Sequence, residues 1–190
     1  DVAPSRGLGD VYKRQDFKEL YPDISFELFE YGSIRAANMV QEGKLDLALV
    51  NMHFYEIDKL NSFTVMNDKI VFCVSKSHPL AKCHEVTIEM IKNEPLIMYN
   101  TDSVQNETLD TAFKRAGVNP NVILHASQLY TIRNFICNNL GGAFLYSSLQ
   151  KNLSGTTGIP ISPVINQNIG IVWKTVSYTH LRAHETELHL

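Results

Sequence analysis

The sequence predicts an α/β protein built as two small lobes, and three observations carry that expectation. Strand-like and helix-like segments alternate along the middle of the chain, and the alternation runs twice, with a restart near residue 94. A length of 190 residues fits one domain or two small lobes with material for a sizeable core. The composition is that of an ordinary globular protein, 44% apolar and 19% charged.

The first run opens with "ISFELFEY" (24–31), which alternates and carries β-formers, and so predicts a strand. "SIRAANMVQEG" (33–43) places Ile34, Ala37 and Val40 on one helical face, with Ser33 as cap and Gly43 as stop. "LDLALV" (45–50) reads as a short buried strand covered by helices on both faces. Residues 24–50 therefore predict a βαβ unit with a parallel strand pair. Two more strands follow near 60–66 and 69–75.

The second run opens with the strand "EPLIMY" (94–99). A helix over 102–117 follows, with an Asp102–Gln105 capping box and a Gly117 stop. "NVILHA" (121–126) is a strand, and 128–142 a helix with Leu129, Ile132, Ile136 and Leu140 in one stripe. "AFLYS" (143–147) is a strand, a short helix comes next, and "IGIVWK" (169–174) is the last strand. Crossings between the lobes are expected near Ser75–Ser77 and Ser162–Asn166.

Charge and composition exclude several classes. A formal net charge of −3 supplies no basic field for DNA or anionic membrane. The apolar runs are too short to span a bilayer, and the first residues lack the apolar core of a signal peptide. Cys73, Cys83 and Cys137 are odd in number and never spaced C-x-x-C, which predicts reduced thiols in a cytoplasmic protein. Cys83 and His84 lack the second pair that a zinc site needs. "HETELH" (184–189) matches an HExxxH pattern, but His184 and His189 sit five apart. A regular helix needs a bulge to aim both at one metal, and no third ligand accompanies them. No metal site, cofactor or catalytic residue is expected.

At "SKSHPLAK" (75–82) the sequence resembles the effector-binding domain of LysR-type transcriptional regulators, where a strand ending in His78-Pro79-Leu80-Ala81 opens a second lobe. "FKELYPDISFELFEYGS", "MVQEGKLDLALV" and the stretch from "LDTAFKRAG" to "GGAFLYSSL" resemble that family's motifs in order and spacing, over about residues 16–175. The resemblance implies a two-lobed, type 2 periplasmic-binding-protein-like fold. Lobe I would comprise 16–75 plus 163–175, and lobe II 76–162. The family's opening strand is replaced here by "PSRGLGDVYKRQ", so the first lobe is expected to be incomplete, and the closing helix after "GIVWKT" is replaced too. "GLGDVYKRQ" and "SYTHLRAHET" resemble translated sequencing-adapter DNA, so 1–15 and 176–190 are expected to be foreign tails.

The resemblance also implies the site: a small-molecule effector held in the cleft between lobes, at the carboxyl ends of strands. Ser33, after Gly32, serves either a helix cap or a ligand, and Asn51 either a turn or a donor at the cleft mouth. Asn100, Thr101, Asp102 and Ser103 give four hydrogen-bonding side chains in a row, more than one cap requires. Ser127 and Gln128 begin the next helix, in a loop that faces the effector in the family. His78 reads as structural, His125 as a core or edge residue, and Trp173 as packing. Helix N-termini near Ser33, Ser103 and Gln128 favour an anionic effector. The resemblance further implies a homo-oligomer in the intact regulator, and DNA contact only through a winged helix-turn-helix outside this sequence. The alternative on the same scaffold is a solute-binding protein of a transport system. An enzyme is disfavoured, because 16–175 holds no nucleophile–base or metal spacing.

Overall fold

The computed structural model describes residues 19–25, 27–53, 59–101 and 103–175. Both expected foreign tails, HETELH and Asp102 lie outside the described residues. The chain divides into two compact units, Asp1–Glu30 and Tyr31–Leu190.

In the first unit, Glu19 and Leu20 are helical and a turn follows at Pro22–Asp23. The strand expected over 24–31 does not form among the described residues, and Ile24, Leu28 and Phe29 are exposed. Alternation gives a segment a buried and an open face only once a neighbouring ladder fixes its hydrogen bonds. Without that strand the parallel pair expected over 24–50 is absent among the described residues, and the strand Leu47–Asn51 pairs with Asn166–Trp173 instead.

The second unit opens with helix α1 (Ser33–Gln41) and strand β1 (Leu47–Asn51). Gly32, not Ser33, is the N-cap of α1, and Gly43 at φ 75° lies in the left-handed region just past its end, where a side chain is strained. The two strands expected over 60–75 are one long strand, β2 (Asn61–Ser75), with a bulge between Thr64 and Met66. A 3-10 turn at Pro79–Lys82 follows, capped by His78, whose Nδ1 accepts from the Leu80 N–H at 3.2 Å; the structural role expected of His78 holds.

Next come β3 (Pro95–Met98), α2 (Val104–Ala116), β4 (Asn121–His125), α3 (Leu129–Cys137), β5 (Gly142–Tyr146) and the short α4 (Ser147–Gln150). Strands β6 (Thr156–Pro160) and β7 (Asn166–Trp173) are the last elements among the described residues. Ser103 caps α2 through its Oγ, which accepts from the Asn106 N–H at 3.1 Å. Gln105 is not part of a capping box: its Nε2 donates to the Phe144 carbonyl. Gly117 ends α2 at φ 67°, as expected. Helix α3 stops at Cys137, so Leu140 of the expected stripe lies beyond it, exposed.

Strand β2 is the spine. Its amino-terminal half pairs antiparallel with β7, and β7 pairs antiparallel with β1. Its carboxyl-terminal half pairs antiparallel with β5 and β6, while β5–β3 and β3–β4 are parallel. On the first ladder, α1 covers one face, packing Ala36, Ala37 and Val40 against Ala48, Val50 and Val172. The opposite face keeps Leu47, Leu49 and Phe63 exposed, so β1 is not covered on both sides as its sequence suggested. The second ladder is closed on both faces. Ile70, Phe72 and Val74 point to a cluster with Leu109 and Phe113 of α2. Val71 and Cys73 point the other way, to Ile132 and Ile136 of α3.

Candidate functional site

Strands β3 and β4 are parallel, so their carboxyl ends and the loops after them lie side by side. The Ala126 N–H donates to the Met98 carbonyl at 3.0 Å, and His125 Nδ1 lies 3.0 Å from the Tyr99 carbonyl. These contacts bring together five of the seven residues expected at the site. Asn100 and Thr101 precede α2 and Ser103 caps it, while Ser127 and Gln128 open α3, with Gln128 as its N-cap. Asn100, Thr101, Ser127 and Gln128 are exposed, and their side chains make no hydrogen bond among the described residues. Two helix N-termini with their free N–H groups therefore share one polar rim.

The other two residues, Ser33 and Asn51, meet each other. The Asn51 N–H donates to Ser33 Oγ at 2.9 Å, tying the carboxyl end of β1 to the first residue of α1. Asn51 is buried, and both donor hydrogens of its side chain are engaged. Its Oδ1 accepts from the His53 N–H at 2.9 Å, and its Nδ2 donates to the Tyr146 hydroxyl at 2.9 Å and to Gln167 Oε1. A side-chain amide has two donor hydrogens, so Asn51 has none left for a ligand.

This network links the two groups. Asn51 belongs to the β1–β7 ladder, whereas Tyr146 ends β5 on the other ladder. Gln105, in the first turn of α2, holds the Phe144 carbonyl at 2.7 Å, two residues before Tyr146. Val104, the first residue of α2, packs into the cluster beneath α1. A second crossing runs from Asp68 Oδ2 to Ser148, which donates through its backbone N–H at 3.2 Å and its Oγ at 2.5 Å. Burial, above all, and the nearby Asp68 carboxylate push the Tyr146 phenol up in pKa, while the Asn51 bond acts against them. Tyr146 is thus a neutral O–H group at neutral pH. Tyr146, Gln167 and Asp68 were not singled out from sequence; the one visible signal was a tyrosine closing the apolar strand "AFLYS".

A separate cavity of about 860 Å³ lies between α2 and residues 161–166, lined by Glu107, Asp110, Thr111 and Lys114 among others. None of the seven expected residues lines it.

A family model, the LysR substrate binding domain, matches residues 14–185. The chain belongs to that family. Among curated relatives, it is 32% identical over 171 residues to the uncharacterized HTH-type transcriptional regulator YwbI of Bacillus subtilis (strain 168), covering 88% of this chain and 56% of the relative. It is 30% identical over 131 residues to the HTH-type transcriptional regulator CysB of Haemophilus influenzae, covering 69% and 41%. The chain thus spans about half the length of these relatives. Among solved structures, the regulatory domain of Synechocystis PCC6803 CcmR in complex with 2-PG superposes with a TM-score of 0.77 at 20% identity, covering 94% of this chain and 89% of that one. The effector binding domain of QuiR in complex with shikimate gives 0.74 at 16% identity, covering 96% and 88%. These establish the expected type 2 periplasmic-binding-protein-like fold for this LysR domain.

Proposed function

We propose that this chain is the sensing part of a LysR-type transcription regulator, which binds a small organic anion at the carboxyl ends of its strands and so controls transcription. The observation that carries the reading is the shared polar rim: four exposed, unengaged side chains, Asn100, Thr101, Ser127 and Gln128, around the N-termini of α2 and α3. Each helix end presents roughly half a positive charge and free N–H donors, which suits a carboxylate. Ser33 and Asn51 shape the opposite wall through their mutual bond, and Ser103 serves as the cap of α2. Relatives that are transcriptional regulators, and neighbours bound to 2-PG and shikimate, support a sensor over a transport protein or an enzyme.

In this reading lobe I is 16–75 with 163–175 and lobe II is 76–162, so the divisions fall at the end of β2 and before β7. DNA is reached through a separate winged helix-turn-helix domain, and the intact regulator is a cytoplasmic homo-oligomer. Among the described residues no helix is long and apolar enough to cross a membrane.

A thermal-shift panel of small carboxylates, neutral sugars and amines tests the reading. Carboxylates should raise the melting temperature, and Thr101→Ala should weaken the best of them by about 1–2 kcal/mol, the usual scale for a hydrogen bond to a charged group. Stabilisation by sugars or amines with carboxylates inert would overturn it.

A further inference from the structure

The rim around α2 and α3 accounts for one end of a ligand and leaves the Tyr146 hydroxyl unexplained. That oxygen accepts a hydrogen bond from Asn51 Nδ2 at 2.9 Å, but its own proton meets no acceptor among the described residues. Tyr146 is half-buried and sits where the ends of β1 and β5 converge. A phenol whose oxygen is engaged, whose ring is fixed at a strand end and whose proton is free is a directional donor.

We propose that Tyr146 is a specificity-determining residue, whose hydroxyl donates to a neutral oxygen of the effector at the end opposite its carboxylate. The inference rests on the effector site proposed above and narrows the ligand class to carboxylates carrying a hydroxyl or keto oxygen.

Three features select a neutral oxygen at this end. Asp68 is anchored to Ser148, two residues beyond Tyr146, so a second carboxylate would face like charge there. The Asp68 oxygens already accept from the Lys69 N–H and from Ser148, which hold the side chain in place as a fixed neighbour. Asn51 cannot replace Tyr146 as donor, since both amide hydrogens are engaged. The same bond gives the contact a second consequence. Tyr146 belongs to one ladder of β2 and Asn51 to the other, so an oxygen seated on the phenol is held by a group that bridges both. A ligand that strengthens this bridge favours the arrangement in which it forms.

The test uses the full 190-residue chain and two matched probe pairs, malate with succinate and 3-hydroxybenzoate with benzoate. Each is titrated against wild type, Tyr146→Phe and Thr101→Ala by calorimetry. Tyr146→Phe keeps the ring and removes only the hydroxyl; circular dichroism and melting of the unliganded variant verify its fold. The expected result is that the hydroxylated member of at least one pair binds wild type about 3- to 10-fold more tightly. Tyr146→Phe should erase that preference and leave the unhydroxylated partner's affinity within twofold, whereas Thr101→Ala should weaken both members alike. A preference that survives in Tyr146→Phe, or no preference in wild type, overturns the role of Tyr146 and leaves the carboxylate site standing. Carboxylate binding insensitive to Thr101→Ala, or no binding by any probe, overturns the site itself and this inference with it.

Discussion

One strand, β2, passes through two different environments. From Asn61 to Asn67 every residue is exposed, whereas from Ile70 to Ser75 every residue is buried. Both halves carry β-formers, and both are paired on an antiparallel ladder. What differs is cover. The carboxyl half lies between α2 and α3 and is flanked by β5 and β6, while the amino half belongs to a ladder with one helix on one face. Strand propensity is therefore a weak guide to stability here; packing against both faces decides it. Under the proposed function the contrast matters, because the polar rim of Asn100, Thr101, Ser103, Ser127 and Gln128 stands on the ladder of the covered half, and Ser33 and Asn51 on the ladder of the exposed half. A sensor whose ligand touches both has a rigid platform and a part that can move.

The largest effect that sharpens this contrast comes from identical substitutions at two points of the strand. Phe72→Ala removes a fully buried ring that packs on Phe144 with centroids 5.2 Å apart, and should cost about 3–5 kcal/mol in urea unfolding. Phe63→Ala, at a ring 64% exposed, should cost less than about 0.5 kcal/mol. Comparable losses at the two sites would break the contrast. Next, Asn51→Leu leaves the His53 N–H, the Tyr146 hydroxyl and the fully buried Gln167 without their partner. About 2–3 kcal/mol should be lost, with Tyr146→Phe restoring part of it in the double variant. Strict additivity would show that the two ladders are not coupled through this bond.

A smaller effect appears with pH. Burial pushes the Cys73 thiol far up in pKa, so the native state keeps its proton where the unfolded state loses it. The stability this confers is fully present below the unfolded-state value, near 9.0, and is lost as pH rises beyond it toward the folded value. Between pH 9 and 10 the loss should approach about 1.4 kcal/mol per pH unit. Cys73→Ala should flatten that slope, and an unchanged slope would show that the carboxyl half is not sealed.

Much of this was legible in the sequence where the signal is local. The apolar stripe of α1 and the glycine stops at Gly43 and Gly117 follow from residues within a few positions of each other. Pairing is not local. Nothing between 24 and 31 says whether a neighbouring strand will be there, and the expected strand is absent among the described residues. The strands expected near 60–66 and 69–75 merge because β7 bridges the gap across Asn67 and Asp68, a partner about a hundred residues away. Ser33 looked like a cap, yet its hydroxyl serves Asn51, which only the fold brings within 2.9 Å. Of the candidate site, the loops after β3 and β4 were visible as polar runs following apolar strands. The bridge through Tyr146 and Gln167 was not, because its members come from three strands distant in sequence.

The most direct test of the central claim, that one ligand engages a firm and a loose part together, is residue-resolved amide exchange with and without the most stabilising carboxylate of the panel. Without ligand, residues 70–75 and 142–146 should exchange slowly and residues 33–51 and 61–67 faster. With ligand, protection should rise chiefly over 33–51 and change little over 70–75. Protection that rises only around 99–104 and 126–129, leaving 33–51 untouched, would contradict the account, because the ligand would then engage one part alone.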